Sequence, residues 1–456
     1  MLIAVVLVLL VVGSVIFHFL SPWWFTPIAS NWGTMDDTVI LTFWVTGIVF
    51  VAVNLFLAWT VIRYRHRKGQ KADYEPENKK LEGWLTVVTS IGVAAMLAPG
   101  LLVWGKFVIV PDEASVVEAV GQQWHWSFRF PGKDGTLGKT NAALISPANP
   151  FGIDPDDPSG QDDVLIARPE LKLPVDQPVK VLLRSKDVLH NFTVTQFRVK
   201  MDLVPGMITY LWLTPTLAGE YEILCEELCG LAHFAMRGRV VVVPQDEFDT
   251  WLAEQPTFAE TRALAAVDPA AGAAQYAVCM ACHGPSGEGN PGLNAPRLAG
   301  QQAWYVQRQL HNFRNGLRGA HEQDTFGAQM TAFAAMLPDD TAIRNLAAYV
   351  ESLPGQAPEA TVTGNVRRGR SLYTTCAACH GTNGQGTWAL NAPRLAEMPD
   401  WYLVRQLQNF QQRIRGAHHQ DFYGWQMGLM ADILADERAI NDLVSYINTL
   451  RAGGGS

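Results

Sequence analysis

The C-terminal part of the chain is an internal duplication with a constant offset of 97 residues and no gap. The segment Cys279-Met-Ala-Cys282-His283 recurs as Cys376-Ala-Ala-Cys379-His380, and Ala-Pro-Arg-Leu at 295–298 recurs at 392–395. Two copies of one small helical fold are therefore predicted. The apolar residues that recur at helical spacing, and that we expect in the two cores, are Val306, Leu310, Phe313 and Leu317, then Leu403, Leu407, Phe410 and Ile414.

All six cysteines of the chain fall in three close pairs. A disulfide scaffold normally spreads its cysteines through loops, whereas close pairs followed by a histidine suit metal or haem chemistry. Cys-x-x-Cys-His is the attachment signature of c-type haem, because the two thiols bond the porphyrin and the histidine reaches the iron. A zinc site is the alternative for one copy alone. Two copies in register predict two covalently bound haems c, held by Cys279, Cys282 and His283 and by Cys376, Cys379 and His380.

The sixth ligand of each iron should recur at the same offset as the histidine. Met330 and Met427 do so, each 47 residues beyond its histidine. His321 and His418 also recur, so histidine ligation stays open as an alternative. Methionine opposite histidine raises the reduction potential of the iron, and we expect that pair of ligands in both copies.

The N-terminal part contains two long apolar segments, residues 39–62 and 84–108, each long enough to cross ~30 Å of hydrocarbon. Residues 1–20 are a third apolar stretch without a basic n-region or a convincing cleavage site, which favours an extra span over a signal peptide. A lipid bilayer is therefore an expected partner. By the positive-inside tendency the loop after the first long segment is cytoplasmic and the chain after residue 108 periplasmic; its basic residues are Arg63, Arg65, Arg67, Lys68, Lys71, Lys79 and Lys80.

Between residues 179 and 243, short runs rich in Val, Leu, Thr and Tyr alternate with turn signals, which predicts a small antiparallel β-sandwich. Thiolate, imidazole and thioether groups lie within it. This set of donors suits copper, and zinc would seldom recruit methionine. Two cysteines four residues apart can each bridge two metal ions; a redox dithiol is the alternative. The predicted ligands are His190, Cys225, Cys229, His233 and Met236.

These motifs resemble cytochrome c oxidase subunit II over roughly residues 35 to 255. The resemblance rests on Gln-Trp-His-Trp at 123–126, Asp-Val-Leu-His at 187–190, Lys-x-Asp-x-x-Pro-Gly at 200–206, and Cys-x-Glu-x-Cys-Gly-x-x-His-x-x-Met at 225–236. It implies a cupredoxin-like domain in which the five ligands above hold a dinuclear CuA centre. Glu227 would add its backbone carbonyl, and its carboxylate would face a magnesium ion shared with subunit I.

Two further residues take a role from the same resemblance. Trp124 matches the tryptophan through which electrons enter, and a core or membrane-interface aromatic is the alternative. Glu82 is similar to the acid at the mouth of a proton pathway, and a merely solvated acid is the alternative. No catalytic residue is expected in this chain itself, because no set of histidines within its spans could hold an oxygen-reducing haem and copper.

The duplicated part resembles tandem dihaem cytochromes c, in which the carbonyls of Pro296 and Pro393 would hold the haem-binding imidazoles. The whole chain resembles the caa3-type oxidases, which attach a cytochrome c to subunit II. This implies that electrons pass from cytochrome c or a quinol-cytochrome c reductase through two haems to CuA, and on to subunit I, which reduces dioxygen to water. Subunit III is a further expected partner of this proton-translocating oxidoreductase; nucleic acid is not.

Two other functions remain open from the sequence: subunit II of a CuA-type nitric oxide reductase, and a copper-delivery or thiol-redox protein fused to cytochromes. The predicted fold is multidomain, with a transmembrane hairpin, an all-β sandwich and two all-α class I cytochrome c domains, in a bacterial inner membrane with the redox domains periplasmic. The expected divisions are an apolar segment with its loop (1–34), the hairpin (35–110), the sandwich (111–255), a linker (256–269), the first cytochrome (270–355), a linker (356–366), the second cytochrome (367–451) and a flexible tail (452–456).

Overall fold

Three long helices form the N-terminal part of this computed structural model, which describes residues 2–21, 26–71, 76–263, 266–354 and 357–451. The predicted tail, 452–456, lies outside these residues. Each of the three helices is long and apolar enough to cross a membrane. Most of their apolar side chains are exposed, as expected of surfaces that meet lipid or another membrane subunit. The helices are α1 (Leu2–Leu20), α2 (Gly33–Arg63) and α3 (Lys79–Val108).

Ten strands follow, in two five-stranded sheets that pack as a sandwich. One sheet has the order β3-β2-β1-β5-β8 and the other β4-β10-β9-β6-β7. Most neighbours are antiparallel, but β1 runs parallel to β5 and β4 parallel to β10, so the sandwich is mixed where an antiparallel one was expected. The strands are β1 (Ser115–Gln122), β2 (His125–Phe130), β3 (Val164–Ile166), β4 (Glu170–Pro174), β5 (Val179–Ser185), β6 (His190–Val194), β7 (Val199–Leu203), β8 (Ile208–Leu213), β9 (Gly219–Leu224) and β10 (Arg237–Val243).

The segment after the sandwich differs from the predicted linker. Helix α4 (Gln245–Ala253) agrees with the short terminal helix expected there, but a further helix, α5 (Phe258–Ala263), still belongs to the sandwich. Phe258 is buried in an apolar cluster of sandwich residues, and its amide donates to the Asp163 carbonyl at 2.8 Å. The chain therefore leaves the sandwich after this helix and not at residue 256.

The duplicated part folds as two helical repeats whose elements begin 97 residues apart. Both predicted apolar faces are in the cores: Leu310 and Phe313 are buried in the first repeat, and Leu403 and Phe410 in the second. The helices of the first repeat are α6 (Pro269–Tyr276), α7 (Met280–His283), α8 (Ala303–Arg314), α9 (Thr325–Ala335) and α10 (Asp340–Ser352); those of the second are α11 (Val366–His380), α12 (Asp400–Gln411), α13 (Phe422–Ala431) and α14 (Glu437–Ile447).

The first and last helices of each repeat cross closely at a glycine. A Cβ on Gly272 would overlap the Asn345 carbonyl of α10, and one on Gly369 would overlap the Asp442 carbonyl of α14. Gly272→Ala and Gly369→Ala are each expected to lower the free energy of unfolding by about 1–3 kcal/mol, because the helices must separate to admit the methyl group. Denaturant titration of the haem-loaded chain measures this. Gly292→Ala is the control, since its Cβ meets only a side-chain oxygen at 3.3 Å; equal stability of all three variants would contradict the expectation.

The two repeats pack against each other with pseudo-twofold symmetry. The Arg318 guanidinium donates to the Tyr402 hydroxyl at 2.9 Å, and Arg415 donates to the Tyr305 hydroxyl at 3.0 Å. Each residue of one contact is 97 positions from its counterpart in the other, which is the reciprocity of an isologous dimer interface. The same relationship joins the pairs Arg308–Asn391 and Arg405–Asn294.

Candidate metal and cofactor sites

The predicted copper ligands come together at one end of the sandwich. His190 begins β6, and the other ligands lie on the loop between β9 and β10. The Cys225 sulfur lies 3.7 Å from the Cys229 sulfur, 3.9 Å from His190 Nδ1 and 3.3 Å from the Glu227 carbonyl oxygen. The cluster is completed around Cys229, whose sulfur lies 3.4 Å from His233 Nδ1 and 3.8 Å from Met236 Sδ. Four further donors thus surround a pair of thiols.

Cys225 and His190 are prepared for a metal by their neighbours. The hydrogen bond from Cys229 lowers the pKa of Cys225 to about 3, and the same contact raises the pKa of Cys229 above its ordinary value. His190 Nε2 lies 2.8 Å from the Asp187 carboxylate, which leaves Nδ1 facing the sulfurs. A carboxylate on the far nitrogen fixes the tautomer and orientation of a metal-binding histidine. Asp187 is a positioning residue that the sequence analysis quoted but gave no role.

One continuous apolar cavity runs through both helical repeats. In both repeats the predicted proximal histidine is buried and donates from Nδ1 to the predicted proline carbonyl: His283 to Pro296 at 2.8 Å and His380 to Pro393 at 2.7 Å. Burial lowers the pKa of both histidines, so the imidazoles are neutral with Nε2 left for iron. The predicted haem residues that line the cavity are Cys279, Cys282, His283, Met330, Cys376, Cys379, His380 and Met427.

The histidine alternative for the sixth ligand has no support in this geometry. His321 and His418 are absent from the residues that line the cavity. His321 is exposed, and its Nδ1 accepts the amide of Gln323 at 3.2 Å. His418 lies beside the sandwich, in a shallow pocket with His419. Methionine is therefore the better candidate in both repeats.

Six arginines line the same cavity. Four of them lie on α8 and α12 or just after these helices, where the repeats meet: Arg308, Arg318, Arg405 and Arg415. In the described parts of the chain, none of them has a carboxylate oxygen within 4.0 Å. The Nε atoms of Arg308 and Arg318 are buried without a hydrogen-bond partner, and burial lowers the pKa of Arg308. Because buried cations need anions, this boundary is suited to anionic groups of a bound cofactor. The arginines recur at the 97-residue offset, but a repeated arginine alone predicts a solvated face.

The second repeat docks on the sandwich. The Tyr423 hydroxyl lies 3.2 Å from His125 Nδ1. Arg239 donates to the His419 carbonyl at 2.7 Å, and Gln122 donates to the Ala389 carbonyl. Burial lowers the pKa of His125 to about 3, so the imidazole is neutral in this interface. Over the residues that the structure describes, every hydrogen bond between the sandwich and the repeats involves the second repeat.

Trp124 lies between the second repeat and the cysteine loop. Its indole nitrogen donates to the Cys229 carbonyl at 3.2 Å, and its own carbonyl accepts Gln426 Nε2 at 2.6 Å. Gln426 also donates to the Ala235 carbonyl at 2.9 Å. Cys379 of the second repeat packs against the sandwich core at this place. No role for Gln426 could be predicted from the sequence, because its contact with Trp124 depends on how two domains meet.

Glu82 lies away from these sites, in the first turn of α3. Its carboxylate accepts the backbone amide of Asn78 at 3.3 Å, and the Asn78 side chain accepts the amide of Leu81 at 3.1 Å. This is a capping arrangement that satisfies free amides at a helix start. It gives Glu82 a local structural role, and the proton-path role stays a prediction.

Comparisons with known proteins agree with this division of the chain. The family model for the cytochrome c oxidase subunit II periplasmic domain matches residues 115–243, and the cytochrome c model matches residues 269–354 and 366–451. A curated relative, the alternative cytochrome c oxidase subunit 2 of Bradyrhizobium diazoefficiens, is 58% identical over 259 residues, which are 57% of this chain and 94% of the relative.

Two other proteins are similar over part of the chain. Cytochrome c oxidase subunit 2 of Cereibacter sphaeroides is 27% identical over 238 residues, which are 50% of this chain and 77% of that protein. The solved structure of reduced cytochrome c4 from Pseudomonas stutzeri is 30% identical, with 41% of this chain and 100% of that chain covered at a TM-score of 0.35. The nitric oxide reductase and copper-delivery alternatives are not favoured by these relatives. The chain belongs to the cytochrome c oxidase subunit II family and is a subunit of that oxidoreductase, with two cytochrome c domains after its subunit II domain.

Proposed function

We propose that this chain is a relay with three redox stations, in which electrons pass from the first repeat to the second repeat, then to a dinuclear CuA centre, and from there to subunit I. Membership of the family implies copper in the sandwich and haem c in the cytochrome domains. The observation that carries the proposed order is the contact of Gln426 with Trp124, and of Trp124 with the Cys229 carbonyl. It joins the second repeat to the cysteine loop.

The proposed copper ligands are His190, Cys225, Cys229, His233, Met236 and the Glu227 carbonyl. Cys225 and Cys229, whose sulfurs lie 3.7 Å apart, would be the central donors to the two copper ions. A thiolate-bridged copper pair supplies one-electron chemistry with little change of geometry. The chain's part is to fix the donors: the Asp187 carboxylate orients His190, and the sandwich core buries both cysteines and Met236.

The cavity in the repeats fits two haems c on two observations. Each repeat brings a Cys-x-x-Cys-His motif and a methionine to the cavity wall, and four arginines there, one buried and three half-buried, lack carboxylate partners within the described residues. The propionates of haem would supply those anions. Haem supplies one-electron chemistry at iron. Pro296 and Pro393 hold the imidazoles, and the apolar walls exclude water, which favours the less charged reduced state.

The sixth ligands are testable by substitution. Met330→His and Met427→His are each expected to lower the reduction potential of one haem by on the order of tenths of a volt, because imidazole in place of thioether stabilises the oxidised iron. Redox titration followed by absorbance measures both. Met336→His is the matched control, since Met336 is exposed and does not line the cavity. An unchanged potential in Met427→His would exclude that residue as the ligand.

The surroundings of the relay follow from the family and the three apolar helices. As an oxidase subunit 2, the chain has a subunit I partner and a cytochrome c donor, and we propose subunit III and a quinol-cytochrome c reductase as further partners. We propose a multi-pass anchor in the bacterial inner membrane, with the redox domains periplasmic. Glu227 would face a magnesium ion at the subunit I contact, and Glu82 the entrance of a proton path.

Metal and haem analysis of the purified complex tests this function. The proposal predicts two copper ions and two haems c per chain, with thiolate-to-copper absorbance. One labile copper with a reversible Cys225–Cys229 disulfide would assign the sandwich to copper delivery instead. Consumption of nitric oxide but not of oxygen by the intact complex would assign the chain to a nitric oxide reductase.

A further inference from the structure

The face by which the second repeat meets the sandwich has an equivalent in the first repeat, and there it is exposed. We call it the rim face, because its residues line the cavity and are also exposed. It consists of Val278, Leu293, Phe326 and Phe333, with exposed fractions of 47%, 51%, 39% and 40%. The residues 97 positions later are all half-buried, and these are Thr375, Leu390, Tyr423 and Met430.

The difference in burial comes from what covers each copy. Tyr423 lies 3.2 Å from His125 of the sandwich, and Met430 packs against the sandwich core. Their counterparts Phe326 and Phe333 have no sandwich cover. Phe326 keeps only the contact between the repeats, in which the Arg405 guanidinium lies 4.7 Å from its ring centroid, as the Arg308 guanidinium lies 4.5 Å from that of Tyr423. The same face therefore occurs in both repeats, but the sandwich covers it only in the second.

The rim face is apolar and small. None of its four residues is charged, and the chain has no lysine after Lys200. A contiguous exposed apolar patch at the mouth of a cavity marks an interaction site. Four side chains are too few for a permanent subunit contact, but they suit the small interface of a transient electron-transfer encounter.

We propose that the rim face is the docking surface of the electron donor, a soluble c-type cytochrome that presents its own apolar cofactor edge. The proposal rests on the proposed relay: the second repeat turns this face to the domain that takes its electron, so the first repeat turns the same face to the protein that gives one. One electron passes from the reduced donor to the oxidised first repeat, and no covalent bond forms or breaks. Because the contact lacks charge, its rate depends only weakly on ionic strength.

Two lysine substitutions in the intact, haem- and copper-loaded complex test this surface. Phe333→Lys and Val278→Lys are each expected to lower the second-order rate constant for reduction by soluble cytochrome c about tenfold, because a charge must be desolvated on docking. Binding of redox-inert zinc-substituted cytochrome c, measured by calorimetry, should weaken by a similar factor. Reduction by ascorbate with a small mediator should fall much less, because the mediator reaches the haem without docking on this face.

Val366→Lys is the matched control, since this valine is exposed to a similar extent, 44%, and lies at the start of α11 away from the cavity wall. Rate constants within twofold of wild type in both rim variants would overturn the proposal, as would an equal loss in the control. Self-association that the rim variants abolish, with donor kinetics intact, would assign the face to a second copy and overturn it too. Normal donor kinetics in the rim variants would contradict the docking surface and leave the relay intact. Failure of the reduced haems to reduce copper in the wild-type complex would contradict the relay itself.

Discussion

Cys229→Ser is expected to remove copper from the sandwich and to bring donor-driven oxygen consumption to background, while both haems remain. The Cys229 sulfur lies within 3.8 Å of the Cys225 sulfur, His233 Nδ1 and Met236 Sδ, so it is the donor that connects the others. A serine hydroxyl is a hard, neutral donor and cannot replace a bridging thiolate at copper. Metal analysis, the haem spectrum and oxygen uptake measure the three parts of this result.

A weaker variant and a control accompany the Cys229→Ser experiment. Asp187→Asn should weaken copper binding by about 10–100-fold without abolishing it, since it removes only the orienting carboxylate from His190. Met207→Leu is the control, because this methionine is exposed and outside the cluster. Wild-type copper content and turnover in Cys229→Ser would contradict the assignment of the site.

The second large effect is expected from removing one haem at a time. Cys376→Ala with Cys379→Ala should lose the haem of the second repeat, and Cys279→Ala with Cys282→Ala that of the first, since the thioether bonds hold each haem. Given a small-molecule reductant and its mediator, the variant without the first haem should still consume oxygen. The variant without the second should fall to background, because only the second repeat contacts Trp124 and the cysteine loop among the described residues.

The two variants are matched controls for each other. They carry the same substitutions at positions 97 residues apart, and each keeps its proximal histidine. Copper analysis of both confirms that the sandwich is intact. Equal turnover of the two variants with the small reductant would contradict the proposed order.

Much of the fold was predictable because the local signals were strong. The 97-residue offset predicted two equal helical repeats, and the apolar faces predicted with it are in the cores, with Leu310 and Phe313 buried in the first repeat and Leu403 and Phe410 in the second. The cysteine loop carries most of its site within twelve residues, so its spacing was enough to bring the donors to one place. The long apolar stretches predicted helices by their length alone.

The features that could not be predicted depend on contacts between distant parts of the chain. The parallel pairs β1–β5 and β4–β10 need crossover connections, and a strand pattern alone does not tell which strand will be the neighbour. Phe258 extends the sandwich because it fills a gap under Ile153 and Leu165, which an Ala-rich stretch does not reveal. The docking of Gln426 on Trp124 joins residues 302 apart.

The arginines at the pseudo-twofold interface could not be predicted to lie in a cavity, although they are visible in the sequence. Arg308, Arg318, Arg405 and Arg415 recur at the offset of the duplication, yet arginine is normally a surface residue and its repetition alone predicts a solvated face. Only the packing of the two repeats turns these side chains into the shared cavity. There they lack carboxylate partners among the described residues, which is why we propose that they hold anionic cofactor groups.

In the proposed relay, the second repeat delivers electrons to the cysteine-bound copper. The most direct test is transient kinetics of the complex in which Cys279→Ala and Cys282→Ala leave only the second haem. After rapid reduction of that haem, absorbance should show copper reduced at the wild-type rate, and Gln426→Ala should slow this phase. A copper-reduction phase that disappears in the complex with only the second haem would contradict the account.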